Sequence, residues 1–440
     1  MTYPRVLIFG QPFNNFSGGG ITLSNLFRGW PKDKICVTFI GHGLINITYD
    51  VCDTYYQLGR EEHRWIFPFN LINRSFTSGI KPKLASAETT VNAIQLGVRY
   101  LVVNRFFYPF LKWIGLFHCA SRISLSEKMK TWLREYKPEL LYLQVSTRET
   151  LLFAAELIDY LKVPSVLHVM DDWPSMISSS GLLKNFWHKK IDFEFRKLLM
   201  LVDLHLSISD AMTEEYFRRY SIRFVPFHNP IETEWWLQKT KKNYSLNQKR
   251  VKVLYSGRIG IGITNSLVDV ASAIDSFPIK DFTIELHIQT PSKESFIIRS
   301  LKKFKCIVFD EFADYSELPE IFSGADILLL ANEFNKEGIK YLKYSMPTKA
   351  SEYMISGTPV LVYAPGDSAV SRLFEENRCG VCVKTQKPEN IVSAIDLLIT
   401  NEDLRREIGR NAVDFAKRRF DMGIIRNEFQ LKLVSNYSVK

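Results

Sequence analysis

Two stretches far apart in the chain repeat one arrangement. Val6-Leu-Ile-Phe9 is an apolar run followed by Asn14-Asn-Phe-Ser-Gly-Gly-Gly20 and a helical pattern from Ile21 to Trp30. Val251-Lys-Val-Leu-Tyr255 is followed by Ser256-Gly-Arg-Ile-Gly-Ile-Gly262 and a helical pattern from Ser266 to Ile274. A strand, a glycine loop and a helix open a βαβ layer, since parallel neighbours are reached only by a crossover. Each opening is continued. Strands are expected at Ile35–Ile40, Leu140–Val145, Ser165–Met170, Leu204–Ile208 and Arg223–Pro226, with helices at Thr147–Leu161 and Ile191–Leu201. After the second opening they are expected at Thr283–Ile288, Cys306–Phe309, Asp326–Leu330 and Pro359–Tyr363. Such alternation predicts two parallel α/β sheets covered on both faces. The polar, basic stretch Gln238–Arg250 separates them, so the domains are read as 1–245 and 246–420, with 421–440 beyond the second sheet. The amphipathic Asp421–Val434 is expected either to pack back near the domain junction or to cap the second domain.

Composition narrows the class. Of 440 residues, 46% are hydrophobic and 24% charged, which suits a chain with a large core and excludes a disordered one. With 22 Gly and 18 Pro it is neither fibrous nor of low complexity, and no repeat of solenoid length is visible. No uncharged apolar run reaches the ~18–20 residues of a membrane span. The apolar run after Met1 is broken at Gly10-Gln11-Pro12, too early for a secretory signal, so a cytoplasmic protein is expected. The six cysteines are scattered, and the pair Cys379-Gly-Val-Cys382 reads as buried thiols around a turn entering a strand.

Residues expected to act should lie just after strands, where open α/β sheets bind ligands. Ser17-Gly-Gly-Gly20 leads into a helix N-terminus, an anion site in the making; the other reading is a tight turn. It lacks the GxGxxG spacing and the P-loop lysine, which weighs against dinucleotide binding and ATP hydrolysis. Arg258 follows the first strand of the second half, where a guanidinium can grip a diphosphate through two hydrogen bonds.

The most specific segment is Ser345-Met-Pro-Thr-Lys-Ala-Ser-Glu-Tyr-Met-Ile-Ser-Gly-Thr-Pro-Val-Leu-Val362, preceded by Tyr315–Leu330 and followed by Leu373–Val383. In order and spacing it resembles the nucleotide-sugar half of GT-B glycosyltransferases, in particular the family 4-like group of retaining enzymes. The resemblance covers most of 250–420. It is looser over the first half, where it rests on the glycine loop, Ser207-Ile-Ser-Asp210 and Phe227-His-Asn-Pro-Ile231.

The resemblance implies an α/β GT-B fold, two Rossmann-like domains facing a central cleft, with the acceptor on the first and the nucleotide-sugar on the second. It implies that Glu352 holds the ribose hydroxyls, that Arg258 and the Gly18, Gly19, Gly20 backbone meet the diphosphate, and that Lys349 is a second cation there. It also implies retention of configuration, no metal, and no cofactor beyond the nucleotide-sugar (UDP- or GDP-linked) as co-substrate. Two positions depart from the pattern: Tyr344 stands where the first of two glutamates is expected, and Thr264 where a lysine is expected, a charge Lys340 or Lys343 could supply. In Leu167-His-Val-Met-Asp-Asp-Trp-Pro174, which is similar to a family segment, His168, Asp171 and Asp172 are candidates to position the acceptor hydroxyl or take its proton. The aspartates could instead cap the following helix. A catalytically silent nucleotide- or lipid-binding subunit and a nucleotide-sugar epimerase remain as alternatives.

Charge points to a further partner. Residues 1–250 hold 32 basic against 22 acidic residues, whereas 251–440 hold 25 of each. From Arg64 to Ser126 eight basic residues (among them Arg74, Lys83, Arg99 and Lys112) face one acid, Glu88. Within it, the aromatic-rich Arg99–Phe117 suits the interface of an anionic bilayer, with a buried helix as the other reading. The expectation is a glycan or lipid-linked acceptor, with the protein peripheral on the inner face of the cell membrane. No nucleic-acid-binding motif appears.

Overall fold

The structure is a computed structural model that describes all residues except 1, 15–16, 42–46, 68, 71–75, 82–102, 178–180, 247–249, 277–281, 292–294 and 439–440. Arg74, Lys83, Glu88 and Arg99, part of the basic stretch, thus lie outside the described residues. The chain forms two compact units. One comprises 1–208, 213–227 and 426–440, the other 209–212 and 228–425.

In the first unit the strands are β1 (Val6–Phe9), β2 (Ile35–Ile40), β3 (Thr54–Leu58), β4 (His63–Trp65), β5 (Gly79–Ile80), β6 (Ser121–Ile123), β7 (Leu140–Leu143), β8 (Ser165–Val169), β9 (Leu204–Ser207) and β10 (Val225–Pro226). Eight form a sheet ordered β10-β9-β8-β7-β1-β2-β3-β5, in which β5 is antiparallel and the rest parallel; β4 and β6 pair separately. Val6–Phe9 is wholly buried, with Val6 opposite both Ile35 and Leu140. Strand order reverses on either side of β1, which leaves a crevice beyond its carboxyl end.

The second unit holds β11 (Arg250–Ser256), β12 (Thr283–Gln289), β13 (Ile307–Asp310), β14 (Ile327–Ala331), β15 (Val360–Tyr363) and β16 (Val381–Val383). Its sheet is parallel throughout, in the order β13-β12-β11-β14-β15-β16, with the reversal between β11 and β14. On one face Leu267, Val270 and Ala271 of helix Thr264–Ser276 pack with Ile391, Ile395 and Leu398 of helix Pro388–Thr400. The other face is covered by Ala350, Met354 and Ile355 of helix Thr348–Ser356, with Ala412 and Ala416 of helix Glu402–Arg419 behind.

Three details sharpen the sequence expectation. The helix after β1 is Gly18–Phe27, so the glycine triplet is its first turn: Ser17 caps it, accepting from the Gly20 amide at 3.2 Å. Residues 228–245 group with the second unit, so the division falls before the polar, basic stretch that begins at Gln238. Trp236 is buried in that core, and the backbone is tied by Lys241 N to Ser356 O at 2.8 Å. The final helix, Met422–Ser438, is shared: from Arg426 onward it belongs to the first unit. There Phe429 packs on Phe27, Tyr142 and Phe227, and the Gln430 side-chain amide donates to the Leu26 and Arg28 carbonyls that end the first helix. Among the described residues no helix is long and apolar enough to cross a membrane.

Candidate functional site

The second unit's site is built around the end of β11. The Ser256 amide donates to the Tyr353 hydroxyl at 2.9 Å, the Ser256 hydroxyl donates to Gln289 Oε1 at 2.9 Å, and the Gly257 amide donates to the Gln289 carbonyl at 2.8 Å. Gly257 has φ +143°, a conformation that L side chains rarely adopt. The chain is thereby turned so that Arg258 emerges exposed, its guanidinium without a partner among the described residues. Its carbonyl accepts the buried Tyr255 hydroxyl at 2.6 Å.

Helix Thr348–Ser356 runs beside this turn. It starts after Pro347, whose carbonyl accepts the Ala350 amide, and it ends at Gly357 with φ +72°. Tyr353 on its inner face is the partner of Ser256, and that contact brings Lys349 and Glu352 to the strand end. The Lys349 ammonium lies 3.6 Å from the Tyr255 ring centroid and 3.3 Å from the Ser256 carbonyl oxygen. Burial pulls its pKa down to about 7, with Glu352 pulling the other way. Glu352 is 8% exposed and has no hydrogen-bond partner among the described residues. Burial pushes it up to about 8 against the opposing pull of Lys349. A buried carboxyl with unfilled acceptor positions is costly unless something supplies donors.

Two further residues close the site. Glu333, just past β14, accepts from the Asn265 amide at 2.9 Å and from the Asn335 side-chain amide at 2.6 Å, while its own amide donates to the Gly262 carbonyl at 2.8 Å. It fixes the glycine loop to the neighbouring strand. Beside it Asn332 is buried with its Nδ2 unpartnered. Sequence reasoning passed over both, although Ala331-Asn-Glu333 follows a strand that the switch-point rule singles out. Thr264 donates to the Gly260 carbonyl at 3.0 Å. The Tyr344 carbonyl accepts the Ser209 hydroxyl at 2.5 Å, and Lys343 is ion-paired with Asp367 at 2.5 Å while Lys340 stands exposed.

In the first unit the candidates fall at strand ends as well. A Cβ at Gly19 would meet Gln11 Oε1, and one at Gly20 the Asn14 side chain, so these glycines let two polar side chains close over the first helical turn. His168 lies inside β8, its Nδ1 2.5 Å from the Tyr142 hydroxyl; burial pulls it down to about 3, so it is neutral. Asp172 is buried and fully engaged. Arg219 donates to its two oxygens at 2.9 and 2.8 Å, Tyr216 to Oδ1 at 3.1 Å and Ser175 to Oδ2 at 2.7 Å. Asp171 is exposed.

Among the described residues no group of three or more His, Cys, Asp or Glu could hold a metal ion. The second unit thus offers a buried carboxyl able to accept from vicinal hydroxyls and, beyond it, an uncommitted guanidinium suited to a diphosphate.

Residues 238–415 match the family model described as glycosyl transferases group 1. Among solved structures the fold is similar to HepE of Anabaena in complex with UDP and glucose, at 12% identity and a TM-score of 0.61, covering 98% of this chain and 100% of that one. It is also similar to a sucrose-phosphate synthase of Thermosynechococcus elongatus, at 12% identity and a TM-score of 0.62, covering 99% and 100%. An α,α-trehalose-phosphate synthase (UDP-forming) of Burkholderia xenovorans, in complex with glucose-6-phosphate, matches at 11% identity and a TM-score of 0.59, covering 98% and 99%. No curated protein matches the sequence.

Proposed function

We propose, from the match of residues 238–415 to the glycosyl transferases group 1 model and the GT-B fold, that the chain moves a sugar from a nucleotide-sugar to a hydroxyl of a glycan or lipid-linked acceptor. The observation that carries this reading is Glu352, a carboxyl buried at the strand switch point with no donor among the described residues. A ribose diol supplies two hydroxyl donors to such a group. Arg258, exposed just past the end of β11, then meets the diphosphate, and charge developing on that leaving group is the largest lever such a site has. The donor is a UDP- or GDP-sugar; UDP is the nucleotide bound by HepE.

In the reaction the bond between the anomeric carbon and the diphosphate oxygen breaks, the acceptor oxygen bonds to that carbon, and the acceptor proton passes to the departing diphosphate or to a carboxylate. Of the first-unit candidates, exposed Asp171 suits that proton, whereas Asp172 and His168 hold the strand end in shape. The acceptor attacks on the face the leaving group departs from, with configuration retained and no metal required. The setting is surface polysaccharide assembly at the inner face of the cell membrane.

A second reading, a silent nucleotide-binding subunit, is favoured by Tyr344 and Thr264 at positions where the resemblance expects charge. Thermal shifts with UDP-, GDP-, ADP- and TDP-sugars, run on wild type, Glu352→Ala and Arg258→Ala, test the donor site. A ligand at 100 times its Kd stabilises by about 2.7 kcal/mol. One nucleotide class should stabilise wild type and neither variant; a shift that survives both substitutions refutes the assignment. Binding without release of nucleoside diphosphate across acceptors would establish the silent subunit.

A further inference from the structure

The π-helical turn Val103–Phe107 runs into helix Tyr108–Ile114, and this segment leaves Phe106, Phe110 and Trp113 64%, 56% and 53% exposed. A second segment, distant in sequence, lies against it. The Leu182 amide donates to the Trp113 carbonyl at 2.8 Å, and Gly181 sits so close that a Cβ would fall 2.7 Å from the same oxygen. Gly115 meets Leu183 equally closely. Leu182 and Phe186 are 67% and 55% exposed, so the two segments present one apolar face. Its base is firm, since Trp187 is buried beneath it, packed on His118 and under the Arg148 guanidinium.

Scattered exposed apolar side chains are ordinary; five large ones on two joined segments are not. The charge within the two segments themselves has one sign, and the nearby Glu194 is taken up by Arg148 and Lys190. Arg105, Lys112, Lys184 and Lys189 are exposed, and neither 103–118 nor 181–190 contains an Asp or Glu. We infer that this composite face of the first unit docks on an anionic lipid bilayer. Aromatic and leucine side chains enter the headgroup–acyl boundary, while the long basic side chains at the rim reach lipid phosphates. The inference deepens the membrane setting proposed above and does not depend on the donor site, which belongs to the other unit.

The full chain is tested by co-sedimentation with vesicles of phosphatidylcholine alone and of phosphatidylcholine with a third phosphatidylglycerol. The expected result is partitioning onto the second kind only. Each basic residue at the surface is worth about a fivefold change in partition, so Lys112→Gln with Lys184→Gln lowers it about 30-fold. Phe110→Ser with Trp113→Ser lowers it at unchanged charge, and both pairs alter exposed side chains, so melting temperatures should match wild type. The proposal is overturned if wild type ignores anionic vesicles, if either double variant binds like wild type, or if the variants change oligomeric state in place of vesicle binding. A UDP-induced thermal shift measured on the same samples reports the donor site separately. Vesicle binding without that shift leaves the docking face standing and removes the UDP reading.

Discussion

The Lys349 ammonium rests on the face of the Tyr255 ring, 3.6 Å from its centroid, and reaches the Ser256 carbonyl oxygen at 3.3 Å. Tyr255 in turn donates to the carbonyl of Arg258, so one side chain underpins the whole turn from which the arginine emerges. Lys349 thus helps to set the shape of the Ser256–Arg258 turn.

That arrangement explains Gly257. A Cβ there would sit 3.1 Å from the Lys349 ammonium at φ +143°. Gly257→Ala should destabilise by about 1–3 kcal/mol in urea unfolding. In a Lys349→Ala background the cost should shrink to the backbone part alone; equal costs in the two backgrounds would mean that the lysine and the turn are independent.

Arg258 should separate binding from stability. Its guanidinium has no partner among the described residues, so Arg258→Gln should leave the melting temperature unchanged. Loss of charge-assisted hydrogen bonds should weaken UDP binding about 10–100-fold by calorimetry. A fall in stability with unchanged affinity would place the residue in the scaffold.

The pH dependence of Glu352 has a definite sign. Burial raises its folded pKa to about 8, so the unfolded chain sheds this proton first and each rise in pH between the two values favours unfolding. The loss is absent at acid pH and complete above about 8. Glu352→Gln removes it while keeping the shape. Without ligand, the variant should melt a few degrees above wild type near pH 8.5 and alongside it near pH 4.5. The opposite slope from Lys349, lowered to about 7 by burial, is present in both proteins. The same substitution should abolish the nucleotide-induced shift, so the site gives up stability for binding.

Adjacent aspartates in the first unit should behave oppositely. Asp172→Ala removes the buried carboxylate that Tyr216, Ser175 and Arg219 all donate to, while the half-buried Arg219 keeps Glu215, and should cost about 1–3 kcal/mol in urea unfolding. Asp171→Asn, at an exposed position, should hold the melting temperature while kcat falls about 10²–10⁴-fold if this carboxylate takes the acceptor proton. Full turnover in Asp171→Asn excludes it from that role.

These neighbours show where sequence reading stops. Apolar runs such as Val6–Phe9 and Val251–Tyr255 announce buried parallel strands because neither face of such a strand meets water, and the loops after them must then lie at a crevice. Glu352 stood out for a different reason: the order and spacing of Ser345–Val362 resemble a family segment that carries a carboxylate at this position, and that segment forms a helix and the strand after it. Nothing local distinguishes Asp171 from Asp172. The partner that decides between them, Arg219, lies 47 positions away, and periodicity shows which face is buried but not what waits there. The glycine triplet was read as a loop because glycine disfavours helix. The Ser17 cap and the packing of Gln11 and Asn14 outweigh that preference.

The shared final helix has a consequence for biosynthesis. Phe27, Tyr142 and Phe227 emerge from the ribosome early, yet Phe429, which covers all three, is made almost last. The first unit therefore waits with an open aromatic seam while the second, most of which is contiguous in the chain, is translated and folds. Release of a nascent chain before Arg426 would strand that seam in solvent as a ready target for chaperones. An N-terminal fragment intended to stand alone would need residues 426–438 grafted back onto it, by a linker or as an added peptide.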